Sequence, residues 1–142
     1  MLPKSEITLR QIMTRHIVTV SPDDSLHAIR DLFESHHFHH VLVVENGKLV
    51  GVISDRDVLR NLSPFVGNSF SERRQDVATL NRRAHQIMSR HLITASDETL
   101  LNDAVQMILD KDISCLPVVT ENMHPLGIVT WHDFLRALAA DR

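Results

Sequence analysis

Apolar residues recur along this chain in two rhythms. Leu26, Ile29, Leu32 and Phe33 fall at helical spacing and form one stripe, as do Leu101, Ala104, Val105 and Ile108. β-rich runs alternate with these stripes. His40–Glu45 and Leu49–Ser54 flank Asn46-Gly47, the strongest two-residue hairpin signal. Leu116–Thr120 and Leu126–Thr130 make a corresponding pair. Ile17–Val20 predicts a brief strand, and Ser21-Pro22-Asp23-Asp24-Ser25 predicts a turn and a helix start. Further helices are predicted from Asp55 to Leu62 and from Trp131 to Ala139.

The chain repeats itself. Ile12-Met13-Thr14-Arg15-His16-Ile17-Val18-Thr19-Val20 returns as Ile87-Met88-Ser89-Arg90-His91-Leu92-Ile93-Thr94-Ala95, with five of nine positions identical. Gly51-Val52-Ile53-Ser54-Asp55-Arg56-Asp57 returns as Gly127-Ile128-Val129-Thr130-Trp131-His132-Asp133. The offset is 75 in the first block and 76 in the second, so one residue is inserted between them, in the longer turn Thr120–Pro125. A period this long is one small unit duplicated rather than a solenoid. Each unit reads β-α-β-β-α. The expected class is α/β of the α+β type, with units at 7–62 and 81–140 joined by a linker at 63–80 that carries Pro64 and Gly67. A unit of roughly 55 residues is marginal alone. The two are therefore expected to pack sheet to sheet about a pseudo-twofold axis.

Composition narrows the function. The 142 residues are 43% apolar and 23% charged, which is ordinary globular usage. No apolar run approaches the twenty or so residues of a membrane helix, and the N-terminal residues lack a signal-peptide core, so no membrane partner is expected. The single Cys115 cannot form an internal disulfide, which suits a reducing, cytoplasmic setting. A net charge of −3 gives no reason to expect a nucleic-acid partner. The pairs Arg73-Arg74 and Arg82-Arg83 have acids nearby and no interleaved aromatics, and read as a solvated helix face. Ten histidines, and twelve arginines to three lysines, stand out.

The feature with most chemical content is Gly-apolar-apolar-[Ser/Thr]-x-x-Asp, present at Gly51–Asp57 and again at Gly127–Asp133. One reading is structural: Ser or Thr at an N-cap with an acid three residues on is a capping box. The other is a binding site. A helix N-terminus offers free N–H groups and partial positive charge to a phosphate. Ser54 or Thr130 can add a hydroxyl, and Asp57 or Asp133 can accept from a ribose diol. Two copies, each closing the same hairpin, favour a site.

Taken together, these segments resemble a tandem pair of cystathionine-β-synthase (CBS) domains, the Bateman module. The resemblance rests on Ile12-Met13-Thr14, Ile87-Met88-Ser89, Leu116-Pro117-Val118-Val119 and both Gly-x-x-[Ser/Thr]-x-x-Asp segments, and covers nearly all of residues 7 to 140. The chain is also similar to short bacterial acetoin-utilisation-type CBS proteins. The resemblance implies a non-catalytic regulatory module that binds adenine nucleotides (AMP, ADP or ATP) in clefts between the units and signals to an effector protein, usually as a homodimer. It further implies that Asp57 and Asp133 hold ribose. Ser54, Arg56, Thr130, His132, His39 and His40 would meet phosphate. Val18, Thr19, Val41, Ile93, Thr94, Cys115 and Leu116 would line the adenine pocket. Leu42 stands where the family often has proline, whereas Pro117 keeps it. Arg56 carries a permanent charge and His132 a pH-dependent one, so the half containing Arg56 is the better polyphosphate candidate. The alternative is a dimerisation or scaffolding module without ligand.

His36-His37-Phe38-His39-His40 invites a metal hypothesis, but the run spans a predicted helix end and strand start, where side chains diverge, and no metal is expected. Cys115 reads as a small buried residue rather than a nucleophile. The sequence contains no P-loop, Gly-x-Ser-x-Gly, Cys-x-x-Cys or His-Glu-x-x-His, and no catalytic residue is assigned.

Overall fold

The computed structural model describes residues 6–63, 66 and 73–140. The elements run α1 (Leu9–Ile12), β1 (Thr19–Val20), α2 (Leu26–Ser35), β2 (His40–Glu45), β3 (Lys48–Ser54), α3 (Asp55–Asn61), α4 (Arg74–Ala78), α5 (Ala84–Ile87), α6 (Leu101–Lys111), β4 (Cys115–Val119), β5 (Pro125–Thr130) and α7 (Trp131–Ala139), with a 3₁₀ turn at Thr79–Asn81. Strands β1, β2 and β3 form one sheet in that order, β1 parallel to β2, and β4 and β5 form an antiparallel pair. The class is mixed α/β, as the periodicities imply. In the second repeat the opening strand shrinks to one parallel bridge between Ala95 and Val118. Pro64 and Gly67 of the expected linker lie outside the described residues.

Local chemistry accounts for the element ends. Ser25 caps α2, its hydroxyl accepting from the Ala28 N–H. Asn46 and Gly47 both have positive φ, 52° and 78°, the mirror-image turn whose twist suits a two-residue hairpin. The longer second hairpin turns with Met123 at φ 66°, and its register shifts between Val118 and Val119, where Leu126 on the facing strand is left unpaired. His36 ends α2 with ring Nδ1 3.2 Å from the Leu32 carbonyl, satisfying one of the helix's last acceptors.

The chain divides into two compact units, and each takes pieces from both repeats. The first comprises Val18–Asn46 and Val50–Leu92. Its core is Val20, Leu26, Ile29, Val41, Val43, Ile53, Val58, Ala84 and Ile87. Here α5 docks by backbone bonds, Ala84 N–H to Asp24 O (2.8 Å) and Leu26 N–H to Arg82 O (2.7 Å), while Val52 and Ser89 exchange N–H···O bonds of 3.1 and 2.9 Å. The second comprises the described residues of Met1–Ile17 together with Gly47–Leu49 and Ile93–Arg142. Its core is Leu9, Met13, Ala95, Leu101, Ala104, Ile108, Leu116, Val118, Val129 and Phe134. Here α1 docks in the equivalent way: Leu9 N–H to Thr99 O (2.9 Å), Leu101 N–H to Ile7 O (2.7 Å), and a reciprocal pair between Thr14 and Ile128 at 2.9 and 3.0 Å. On the last helix of each repeat, Val58 and Phe134 are core residues at 4% exposure. Leu59, Leu135 and Leu138 remain outside, at 73%, 61% and 50%.

Each unit is closed by a methionine lying across a strand glycine. A Cβ at Gly51 would collide with Met88 Sδ and lie 2.7 Å from its Cγ; one at Gly127 would lie 2.8 Å from the Thr14 carbonyl and 2.9 Å from Met13 Sδ. Gly51→Ala and Gly127→Ala should each destabilise the fold by about 1–3 kcal/mol through overpacking. Urea denaturation checks this. A cost near zero would show that the methionines yield freely.

Candidate functional site

Every expected site residue of the first repeat lies in the first unit, and every one of the second repeat in the second unit. In the first unit β3 ends at Ser54, whose extended backbone (φ −94°, ψ 165°) turns the chain into α3. The Ser54 hydroxyl accepts from Asp57 N–H at 3.1 Å, and Asp57 Oδ2 accepts from Ser54 N–H at 2.8 Å. This is the reciprocal capping box, so the structural reading of the motif holds in this repeat. Asp57 is half-buried, and its Oδ1 accepts no hydrogen bond among the described residues. Arg56 is exposed and its guanidinium meets no acid among the described residues.

His39 does not stand free. Its Nδ1 lies 2.9 Å from Asp55 Oδ2, and Asp55 N–H donates to His39 O at 3.0 Å. Burial pushes the Asp55 carboxyl up, but the bonds from His39 and the Arg56 N–H outweigh it and leave it below its ordinary value. His40 is half-buried at the start of β2, and burial pulls its imidazole below the usual range against the attraction of Asp55. Val18 O accepts from Leu42 N–H at 3.0 Å, which seats β1 with Thr19 exposed opposite Leu42. The Val41 side chain is wholly buried in the core, so what it can offer a ligand is its backbone.

In the second unit Thr130 and Asp133 repeat the carboxylate half of the box on α7, with no cap bond from the Asp133 N–H to the Thr130 hydroxyl. Thr130 N–H donates to Asp133 Oδ2 at 2.9 Å, and the Thr130 hydroxyl is 3.4 Å from the same oxygen. Asp133 differs from Asp57 in being 3% exposed. Its Oδ1 accepts from the Thr14 hydroxyl at 3.0 Å. Arg136 is 4.0 Å away, too far for a hydrogen bond. His132 is exposed, Ile93 and Thr94 are half-buried, and Leu116 is wholly buried. Burial, reinforced by Asp133, pushes the Cys115 thiol up to about 12, so it is an inert thiol at neutral pH.

Two partners escaped the pattern of residues: Thr14, which reaches Asp133 across 119 positions, and Asp55, which holds His39. Thr14 did carry a signal, since a hydroxyl residue follows Ile-Met in both repeats, at Thr14 and Ser89. The His36–His40 run disperses among different partners: His36 to its own helix end and His39 to Asp55.

With this geometry in hand, the chain is a protein of the CBS domain family: the family model matches residues 9–64 and 84–140. Among its relatives is MJ1225 of Methanocaldococcus jannaschii, 29% identical over 127 residues; the match covers 89% of this chain but 45% of that one. A Methanopyrus kandleri relative is matched over 62% of its length, so the chain spans about half to two-thirds of these curated relatives. The crystal structure of CBSX2 in complex with AMP superposes with a TM-score of 0.77 at 26% identity, covering 95% of this chain and 98% of that one. An acetoin utilization protein (AcuB) from Vibrio cholerae superposes at 0.75 with 25% identity, covering 94% and 91%.

The His40 shift has a sign. A folded value below the unfolded one means that protonation favours the unfolded chain. The stability held by neutral His40 is complete above about pH 6.5 and declines as pH falls through the lowered value. Between pH 7.5 and 5.5 the wild type should therefore lose more stability than His40→Gln, measured by urea denaturation. Equal losses would remove His40 as the cause.

Proposed function

We propose that this chain is a non-catalytic regulatory module that binds an adenine-containing ligand and signals by its differential affinity for two arrangements of the protein. The observation that carries this reading is the Ser54–Asp57 box. The N–H groups of Ser54 to Asp57 are taken by the protein itself. What the junction offers is a half-buried carboxylate with one oxygen uncommitted among the described residues and the exposed Arg56 beside it. The carboxylate suits a ribose diol, and the exposed Arg56 guanidinium suits phosphate. Support also comes from the CBSX2 likeness, since that protein was crystallised with AMP. His39 is committed to Asp55 and His40 is held toward neutrality, which leaves Arg56 as the main phosphate partner in this half. In the other half Thr130 and His132 are the phosphate candidates, and Ile93 and Thr94 the adenine ones.

Calorimetry with AMP, ADP and ATP tests the reading. Asp57→Ala should weaken binding about ten- to hundredfold, the worth of a hydrogen bond to a charged group. Loss of the cap should cost about 0.5–2 kcal/mol of stability whether or not a ligand binds. An unchanged affinity would reduce Asp57 to a capping residue. A wild type that binds none of the three would put the scaffolding alternative in front.

We also propose that the module is a cytoplasmic homodimer acting on an effector protein. The exposed Leu59 on α3 and Trp131, Leu135 and Leu138 on α7 support self-association. No helix among the described residues is long and apolar enough to cross a membrane. Light scattering at micromolar concentration should report twice the chain mass. A monomer would overturn the dimer.

A further inference from the structure

The two halves of the duplicated motif are not chemically equivalent, and at the second carboxylate oxygen the difference lies in one hydroxyl. Both aspartates close a capping box through Oδ2, at 2.8 Å for Asp57 and 2.9 Å for Asp133. Among the described residues only Asp133 has its second oxygen taken. The Thr14 hydroxyl donates to Oδ1 at 3.0 Å, and Asp133 is almost wholly buried beneath it. Thr14 is held there by its own backbone, which exchanges hydrogen bonds with Ile128 on β5, two residues before Thr130. In the first unit Ser89 occupies the corresponding place, with its backbone paired to Val52 in the same way. Yet no hydrogen bond joins the Ser89 side chain to Asp57 among the described residues, and Asp57 is half-open.

An alcohol hydroxyl donating to a carboxylate oxygen is the bond that a ribose hydroxyl would make. We propose that Thr14 is a specificity-determining residue: its hydroxyl stands in for a ribose hydroxyl on Asp133, so that the Asp57 half binds the adenine ligand well and the Asp133 half binds it weakly. This rests on the reading of the aspartates as ribose acceptors. The physics is competitive. A ligand at Asp57 meets an oxygen with no donor to displace among the described residues, whereas a ligand at Asp133 must first break a formed, part-buried bond and so gains little by replacing it. Removing the Thr14 hydroxyl leaves Asp133 buried with an unpaired oxygen, and a ligand hydroxyl then recovers the full value of the contact. Thr14→Val keeps the branched shape and the backbone pairing to Ile128. Thr14→Ser keeps the hydroxyl.

The test uses AMP and the whole chain carrying Asp57→Ala, so that the binding which remains reports Asp133. Near-UV circular dichroism confirms that each variant is folded. Adding Thr14→Val should tighten AMP binding about ten- to hundredfold, and adding Thr14→Ser should leave it unchanged. A further Asp133→Asn should abolish the gain. If Thr14→Val changes nothing while the chain with Asp57 intact binds AMP, the inference fails and the ribose reading stands. If Thr14→Ser matches Thr14→Val, the gain comes from loosened packing and the inference also fails. If neither the wild type nor Thr14→Val binds AMP, the ribose reading itself fails and takes the inference with it.

Discussion

A methionine side chain laid across a glycine in mid-strand is the constraint around which each unit is built. Gly51 and Gly127 have no Cβ, so Met88 and Met13 approach the strand more closely than any other residue would allow. The thioether is unbranched and adapts to the groove it fills. Beside each pair the backbone is pinned by a reciprocal bridge, Val52 with Ser89 and Thr14 with Ile128. The consequence reaches well beyond packing. A segment that opens one repeat is bound to the hairpin of the other, so each compact unit is a composite of the two repeats.

That exchange decides what happens at the helix N-termini. The capping box needs only four consecutive residues, and its carboxylate half forms in both repeats at nearly the same distance. What surrounds it comes from far away in the chain. Docking of α1 brings Thr14 against Asp133, while the equivalent docking of α5 places Ser89 near β3 without a bond to Asp57. A duplicated motif thus ends in two different electrostatic settings. One carboxylate is sealed by a hydroxyl, and the other keeps an open oxygen next to an exposed, permanently charged arginine. The dual use of one aspartate, for cap and for ligand, means that stability measurements alone do not separate the roles, whereas affinity does.

The histidines show how local neighbours override composition. Ten imidazoles in 142 residues suggest metal or proton chemistry, but side chains in a run that crosses from helix end to strand start point in different directions. His36 serves the end of α2, His39 pairs with Asp55, and His40 enters the sheet, where burial disfavours its charge. Cys115 behaves likewise: burial makes it a small core residue with a thiol too weakly acidic to react.

The helical stripes, the Asn46-Gly47 turn, the duplication and both capping boxes were legible from residue types alone. Each depends on contacts within a few positions or on a side-chain period, and such contacts are written locally. The class of fold followed from their order. The exchange of entry segments, the burial of Val58 and Phe134, and the sealing of Asp133 by Thr14 were not legible. These rest on pairings across 37 to 119 positions, which no pattern along the chain displays. Sequence by itself determined that two similar aspartates would cap two similar helices. Tertiary structure decided that one of them would keep a free oxygen, because only the folded chain brings a distant hydroxyl within 3.0 Å of the other.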